Sequence, residues 1–236
     1  MCPREGRLVL KIFGLQKMTL LDYPGHVACT VFLNGCDMRC PFCHNSELAD
    51  GSAPPVMEDA ELLGFLEKRR GLLEGVAVTG GEPLLREENV ELLRRIRDLG
   101  YPIKLDTNGT HPDRLRRVLE AGLAQYVAMD IKNSPERYGE TVGLPGFDPA
   151  RVRESVQLLL EGRVDYEFRT TVVAELHDED SFRGIGPWIR GARRYFLQRF
   201  TDRDSVPFEG FHAPGEEALS RWADLMRAYV AEVGIR

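Results

Sequence analysis

Hydrophobic residues along this chain fall into two spacings, and each spacing marks a different kind of element. Six short runs rich in β-branched and aromatic residues recur: Val27 to Leu33, Gly75 to Thr79, Ile103 to Asp106, Tyr126 to Asp130, Tyr166 to Val173 and Arg194 to Phe200. Between them, apolar positions repeat at helical spacing. Val90, Leu93 and Ile96 lead to Gly100, Leu115, Val118 and Leu119 lead to Gly122, and Val152, Val156 and Leu159 mark a third helix. Strands separated by such helices build parallel βαβ units, and right-handed crossovers repeated in one sheet curl into a barrel or an open part of one. The pattern therefore predicts an α/β fold, a partial (β/α)6 barrel of the TIM type. A final helix is expected to carry Leu219, Trp222, Met226, Tyr229 and Val233 on one face and to pack outside. Gly184, Gly186 and Pro187 interrupt the helical pattern over residues 178–193 and leave it unassigned. The residues before Val27 read as an added hairpin or strand. The expected organisation is one domain over residues 1–236, with a 1–26 extension, a 27–200 barrel core and a 201–236 loop and helix.

Composition narrows this picture without changing it. The 236 residues, 43% hydrophobic and 29% charged, suffice for one α/β domain with a sizeable core. A net charge of −6 offers no general attraction to nucleic acid, and Lys68-Arg-Arg70 and Arg114 to Arg117 read as solvated helix faces. The apolar runs fall far short of the ~20 residues of a membrane helix, so no membrane association is expected. Five cysteines is an odd count, and no secretory segment is recognisable; both favour a cytoplasmic chain with reduced thiols.

The unusual residues sit where the predicted strands end, which is where ligands gather in such folds. The first strand runs into Cys36-Asp-Met-Arg-Cys40-Pro-Phe-Cys43-His-Asn45, the second into Thr79-Gly-Gly-Glu-Pro83, the third into Asp106-Thr-Asn-Gly109 and the fourth into Met129-Asp-Ile-Lys132. Three cysteines at CxxxCxxC spacing in one loop point to an iron–sulfur cluster with one iron left unligated, because electron-transfer clusters take four protein ligands. Zinc held by the same cysteines and His44 is the competing reading, though adjacent Cys43 and His44 would strain to meet one tetrahedral ion. Cys29, inside an apolar run, reads as a small buried hydrophobe and Cys2 as incidental. Taken singly, Gly80-Gly81 or Asn108-Gly109 is only a turn signal.

With these motifs, together with Leu20-Leu-Asp-Tyr-Pro-Gly25 and Phe168-Arg-Thr-Thr171, the chain resembles a radical S-adenosylmethionine enzyme, and more narrowly an anaerobic ribonucleoside-triphosphate reductase activating protein. The resemblance covers nearly the whole chain. It implies that Cys36, Cys40 and Cys43 hold a 4Fe-4S cluster whose open iron is chelated by S-adenosylmethionine. It further implies that Phe42 flanks the adenine, that Glu82 meets the methionine ammonium, and that Gly80 and Gly81 allow close backbone approach. Asp106, Thr107 and Met129 match positions near the cofactor or a monovalent cation, with Asp130 close by, and Arg169 matches a partner for the cofactor carboxylate. Asp130 and Lys132 match the element that meets an incoming glycine loop. Plainer roles compete for several of these: loop packing for Phe42, capping of the next helix for Glu82, ordinary ion pairing for Arg169 and Lys132. The implied activity is reductive cleavage of S-adenosylmethionine, fed by a flavodoxin- or ferredoxin-type donor, and hydrogen abstraction from a glycine of a glycyl-radical enzyme, expected to be anaerobic ribonucleotide reductase. Alternatives are activation of pyruvate formate-lyase, a radical enzyme for a small molecule such as a carboxydeazaguanine synthase-like protein, or a non-catalytic metal-binding module. Asn133 after the Asp130-Lys132 element and Pro187 depart from the family pattern, and His26, His111, His177 and His212 match no motif.

Overall fold

A computed structural model describes residues 9–236; Cys2 lies outside these. An eight-stranded sheet runs in the order β10-β9-β8-β7-β6-β5-β3-β2. Its parallel strands are β3 (Ala28–Leu33), β5 (Gly75–Gly80), β6 (Ile103–Thr107), β7 (Tyr126–Asp130), β8 (Asp165–Val172), β9 (Arg194–Arg199) and β10 (Glu232–Ile235). β2 (Gly14–Thr19) lies antiparallel on β3 at one edge, so the hairpin expected before Val27 is present. β1 (Lys11–Ile12) and β4 (Met57–Glu58) form a separate two-stranded ladder. The helices are α1 (Ser46–Asp50), α2 (Asp59–Lys68), α3 (Glu87–Asp98), α4 (Pro112–Glu120), α5 (Tyr138–Thr141), α6 (Ala150–Leu160), α7 (Glu179–Trp188) and α8 (Glu216–Met226).

The six predicted strands stand within about a residue of their expected bounds, and the architecture is that of a partial TIM-type barrel. Central strands are covered on both faces and so read as unbroken apolar runs; Val76, Ala77, Val78, Ile103, Leu105, Val127 and Ala128 are all buried. Val90, Leu93 and Ile96 of α3, Leu115 and Val118 of α4, and Val152, Val156 and Leu159 of α6 are buried against that sheet. Cys29 is buried, as expected of a small hydrophobe.

Two expectations are corrected at the C-terminal side. Residues 179–188 are a regular helix despite Gly184, Gly186 and Pro187. The Asp178 carboxylate caps Ser181 N–H at its start, and a Cβ at Gly184 or Gly186 would collide with Ser134 or with the Tyr229 ring, so these glycines serve close packing. Pro187 falls in the last turn, where it removes a single i→i−4 hydrogen bond. The final helix, in turn, stops at Met226 and carries neither Tyr229, which lies in the turn beyond it, nor Val233, which lies in β10 beside Tyr195 of β9. Spacing alone could not separate these outcomes, because Val233 and Ile235 also satisfy the two-residue period of a strand. The open edge of β9 decides, capturing the chain through Ala231 N–H to the Ala192 carbonyl and Glu232 N–H to the Arg193 carbonyl.

Because seven strands run parallel, their carboxyl ends share one rim. The three cysteines and the other three strand-end motifs are thereby brought to one place.

Candidate active site at the carboxyl ends of the strands

The loop after β3 is pinned from both sides. Gly35 N–H and Cys36 N–H donate to the Leu48 and Ala49 carbonyls at 2.7 and 3.1 Å, and Arg39 N–H donates to the Val142 carbonyl at 2.9 Å. β5 passes so close beneath that a Cβ on Gly80 would strike the Leu33 carbonyl oxygen and one on Gly81 the Gly35 carbonyl oxygen. The two glycines are thus required first by the approach of the cysteine loop to β5, a need distinct from the ligand contact expected of them, although both also face the cavity.

That cavity has a volume of about 160 Å3, well above the ~10–15 Å3 one water needs. Cys36, Cys40 and Cys43 line it together with Phe42, Gly80, Gly81, Asp106, Thr107, Asp130, Lys132 and Arg169. Eleven of the thirteen candidate residues meet at this one site, and Glu82 and Met129 do not. Burial pushes the Cys36 and Cys40 thiols up to about 12 and 11, so they become thiolates when a cation such as cluster iron binds them. Among the described residues, no three His, Cys, Asp or Glu side chains converge tightly enough for a single ion. His44 is turned away to donate through Nε2 to the Thr201 carbonyl at 2.6 Å, with its ring stacked on Phe200. The zinc arrangement with His44 as fourth ligand is therefore not formed.

One wall of the cavity is ionic. Arg169 on β8 stands between Asp130, at 2.5 Å from Nε, and Asp106, at 3.2 Å from Nη2. Lys132 Nζ holds the other Asp130 oxygen at 2.8 Å, and Lys104 pairs with Asp106. Register makes this chain of charges, since Asp130 lies opposite Arg169 in the β7–β8 ladder. Burial would raise the Asp130 carboxyl, but Arg169 and Lys132 reverse it and hold it well below the usual carboxylate range. The counter-charge expected for Asp106 from a monovalent cation is supplied here by Arg169 and Lys104. Lys132 and Arg169 occupy the ion-paired roles that competed with ligand contact, and Lys132 and Asp130 form the inner wall beside Cys40, so a glycine loop would have to enter the cavity to meet them.

The other wall is uncharged at its surface. Glu82 is wholly buried behind it: Leu84 N–H and the Thr107 hydroxyl donate to Oε1 at 2.9 and 2.8 Å, and Asn108 N–H donates to Oε2 at 2.7 Å. This is the capping role that competed with ammonium binding. Burial pushes the carboxyl up to about 7 against the pull of these three donors. Met129 is likewise buried, its methyl pressed under Gly109, which adopts φ +78°. Phe42 lines the cavity and packs with Val173, Leu176 and Phe200, the loop packing that competed with an adenine contact.

Several site residues carried no assignment from sequence. Asn45 donates to the Gly80 carbonyl at 3.1 Å and locks the cysteine loop to β5. Lys104, a charge between buried Ile103 and Leu105, was visible as an anomaly in a strand. Asn133 is buried, its amide donating to Thr141 Oγ1 and the Leu176 carbonyl, so its departure from the family pattern alters an internal brace. His177 is also buried, with Nε2 donating to the Lys132 carbonyl at 2.8 Å.

A profile of the Radical SAM superfamily matches residues 30–181, which hold every motif from the cysteine loop to Arg169. The chain belongs to the Radical SAM superfamily. Over 233 residues this radical SAM enzyme is 29% identical to a protein of Methanocaldococcus jannaschii assigned as a glycyl-radical enzyme activating enzyme, covering 95% of both chains. It is 28% identical over 189 residues to the pyruvate formate-lyase 1-activating enzyme of Escherichia coli (strain K12), covering 76% of this chain and 75% of that one. In fold it resembles the crystal structure of Streptococcus suis SuiB bound to S-adenosylmethionine, with TM-score 0.67 at 12% identity, over 88% of this chain and 51% of that chain.

Membership implies a 4Fe-4S cluster and S-adenosylmethionine, and the residues present fit both. Three soft sulfur donors on one loop, without a fourth, suit a cluster with an open iron. Guanidinium and ammonium groups opposite them suit a carboxylate-bearing ligand. No helix among the described residues is long and apolar enough to cross a membrane.

Proposed function

We propose that this radical SAM enzyme forms a glycyl radical on a partner enzyme, with anaerobic ribonucleoside-triphosphate reductase as that partner, in the cytoplasm and with a flavodoxin- or ferredoxin-type electron donor. The observation that carries the reading is the gathering of Cys36, Cys40 and Cys43 with the ends of four strands around one cavity. The end-to-end similarity to the M. jannaschii protein supports the activase class, because it extends beyond the barrel core. When bound, the cluster and S-adenosylmethionine supply an electron and a carbon-centred radical that removes a substrate hydrogen.

The chain's own residues would do the rest. Cys36, Cys40 and Cys43 hold the cluster, and Phe42 closes one side against water. Arg169 and Lys132 orient the cofactor carboxylate while remaining paired to Asp106 and Asp130. Gly80 and Gly81 bring β5 backbone to the cavity. A cation beside Asp106 and Thr107 would have to compete with Arg169 and forms no part of this reading.

Anaerobic reconstitution, chemical reduction and incubation with S-adenosylmethionine and purified anaerobic ribonucleotide reductase should give a glycyl radical by electron paramagnetic resonance. Similarity to pyruvate formate-lyase activating enzymes makes that lyase the second substrate to test. A radical on the lyase alone would reassign the partner. Cofactor cleavage without a radical on either protein would overturn the activase reading.

A further inference from the structure

Asn108 lies at the point where three of the four strand-end motifs touch. Its side-chain Nδ2 donates to Cys36 Sγ at 3.6 Å and to Asp37 Oδ1 at 3.0 Å. Its Oδ1 accepts from Thr110 N–H at 3.0 Å and from the Thr110 hydroxyl at 2.7 Å. Its backbone N–H donates to Glu82. These partners determine which way the amide points, since a flipped side chain would set its oxygen against the Asp37 carboxylate and its NH2 against the Thr110 N–H. The residue is buried, and Gly109 behind it has no room for a Cβ above Met129. The amide is therefore held on the sulfur and cannot swing away.

We propose that Asn108 is a positioning residue that fixes the Cys36 sulfur through its side-chain N–H and makes the bound cluster easier to reduce. The proposal rests on the reading that Cys36, Cys40 and Cys43 hold the cluster. One-electron reduction adds negative charge that spreads onto the ligand sulfurs, and a fixed donor stabilises that charge more in the reduced than in the oxidised form. Met38 N–H also points at Cys36 Sγ, at 3.4 Å, so this sulfur has two donors, one of them from a distant strand. Among the described residues, Asn108 is the one asparagine whose amide reaches a cysteine sulfur. Asn45, Asn89 and Asn133 spend theirs on carbonyl or hydroxyl oxygens.

The test compares wild type, Asn108→Leu and Asn108→Asp after anaerobic reconstitution, without S-adenosylmethionine. Asn108→Leu removes the donor without adding charge, whereas Asn108→Asp keeps the oxygen that Thr110 needs but exchanges the donor for a carboxylate beside Asp37 and the sulfur. At a fixed applied potential the ratio of reduced to oxidised cluster should fall about tenfold in Asn108→Leu, equivalent to about 59 mV for a one-electron couple, and at least as far in Asn108→Asp. Unchanged potentials in variants that hold a full cluster would overturn the proposal, because a purely structural brace alters iron retention or melting temperature and leaves the potential in place. Should neither variant fold, wild type labelled with 15N only at asparagine side-chain amides decides. Pulsed electron paramagnetic resonance of the reduced cluster should show a weak 15N coupling, and its absence would equally sink the idea. A wild type that assembles no cluster refutes the parent reading, whereas an assembled cluster with unmoved potentials refutes this one alone.

Discussion

Asp130 lines the cavity and Glu82 lies wholly buried behind its opposite wall, and the surroundings of these two carboxylates push them in opposite directions. Asp130 shares its wall with Arg169 and Lys132, whose charges hold it ionised far below its usual range. Glu82 has three hydrogen-bond donors and no cation, and burial prevails, lifting it to about 7. Hydrogen bonds alone do not replace a counter-charge in a dry wall. The cysteine loop leans on both sides, Cys36 against Asn108 and Cys40 beside Lys132. One wall thus carries paired charges, and the other a fixed hydrogen-bond geometry.

The sharpest way to break this arrangement is to remove what both walls surround. Alanine at Cys36, Cys40 or Cys43 should abolish the cluster outright, while Cys29→Ala, buried in the core away from the rim, should keep it. Iron content and visible absorbance after anaerobic reconstitution settle the matter, and retention of a full cluster by Cys40→Ala would remove that residue from the site.

Breaking the ionic wall should come next in size. Arg169→Met leaves Asp106 and Asp130 short of their shared partner, and loss of one member of a buried ion pair costs ~3–5 kcal/mol. Denaturant unfolding should show that loss at pH 7 and show it shrinking as pH falls through the unfolded carboxylate range near 4, where the acids can take up protons instead. Equal loss at every pH would mean that Arg169 contributes packing rather than charge.

Glu82 should give the opposite pH signature. Its folded pKa is raised, so the wild type is penalised as pH climbs from about 4.5 through about 7, by roughly 3 kcal/mol at the upper end. Glu82→Ala escapes that penalty but strands the Leu84 and Asn108 N–H groups, so its stability deficit should be largest in acid and narrow toward pH 7. A deficit that widened over that interval would show that Glu82 is ionised and satisfied in the folded protein, like Asp130.

Lys132→Ala should have the smallest effect, about 1–2 kcal/mol, because Arg169 still pairs Asp130. If Lys132 acts as part of the wall, 5′-deoxyadenosine formation and glycyl-radical yield should fall in parallel in one sample. Sustained cleavage with the radical lost would make Lys132 a contact for the partner's glycine loop.

Much of this site was legible in sequence because its signals are local. CxxxCxxC spacing, glycine pairs at strand ends and strand period are properties of a few consecutive residues, and the parallel sheet then carries every strand end to one rim. Roles that depend on a partner elsewhere in the chain were not legible. Nothing near Glu82 in sequence shows that Thr107 and Asn108 will surround it, and nothing near Arg169 shows that it will stand between Asp106 and Asp130.

By itself, then, the sequence determined the alternation of strands and helices, the cysteine loop and the strand-end motifs that supply eleven of the cavity's residues, since each follows from short-range periodicity and spacing. The tertiary structure decided which acids meet cations, which way the Asn108 amide points and that the last residues join the sheet beside β9. These depend on strand register and on unsatisfied edges, which arise only when segments distant in the chain are packed together.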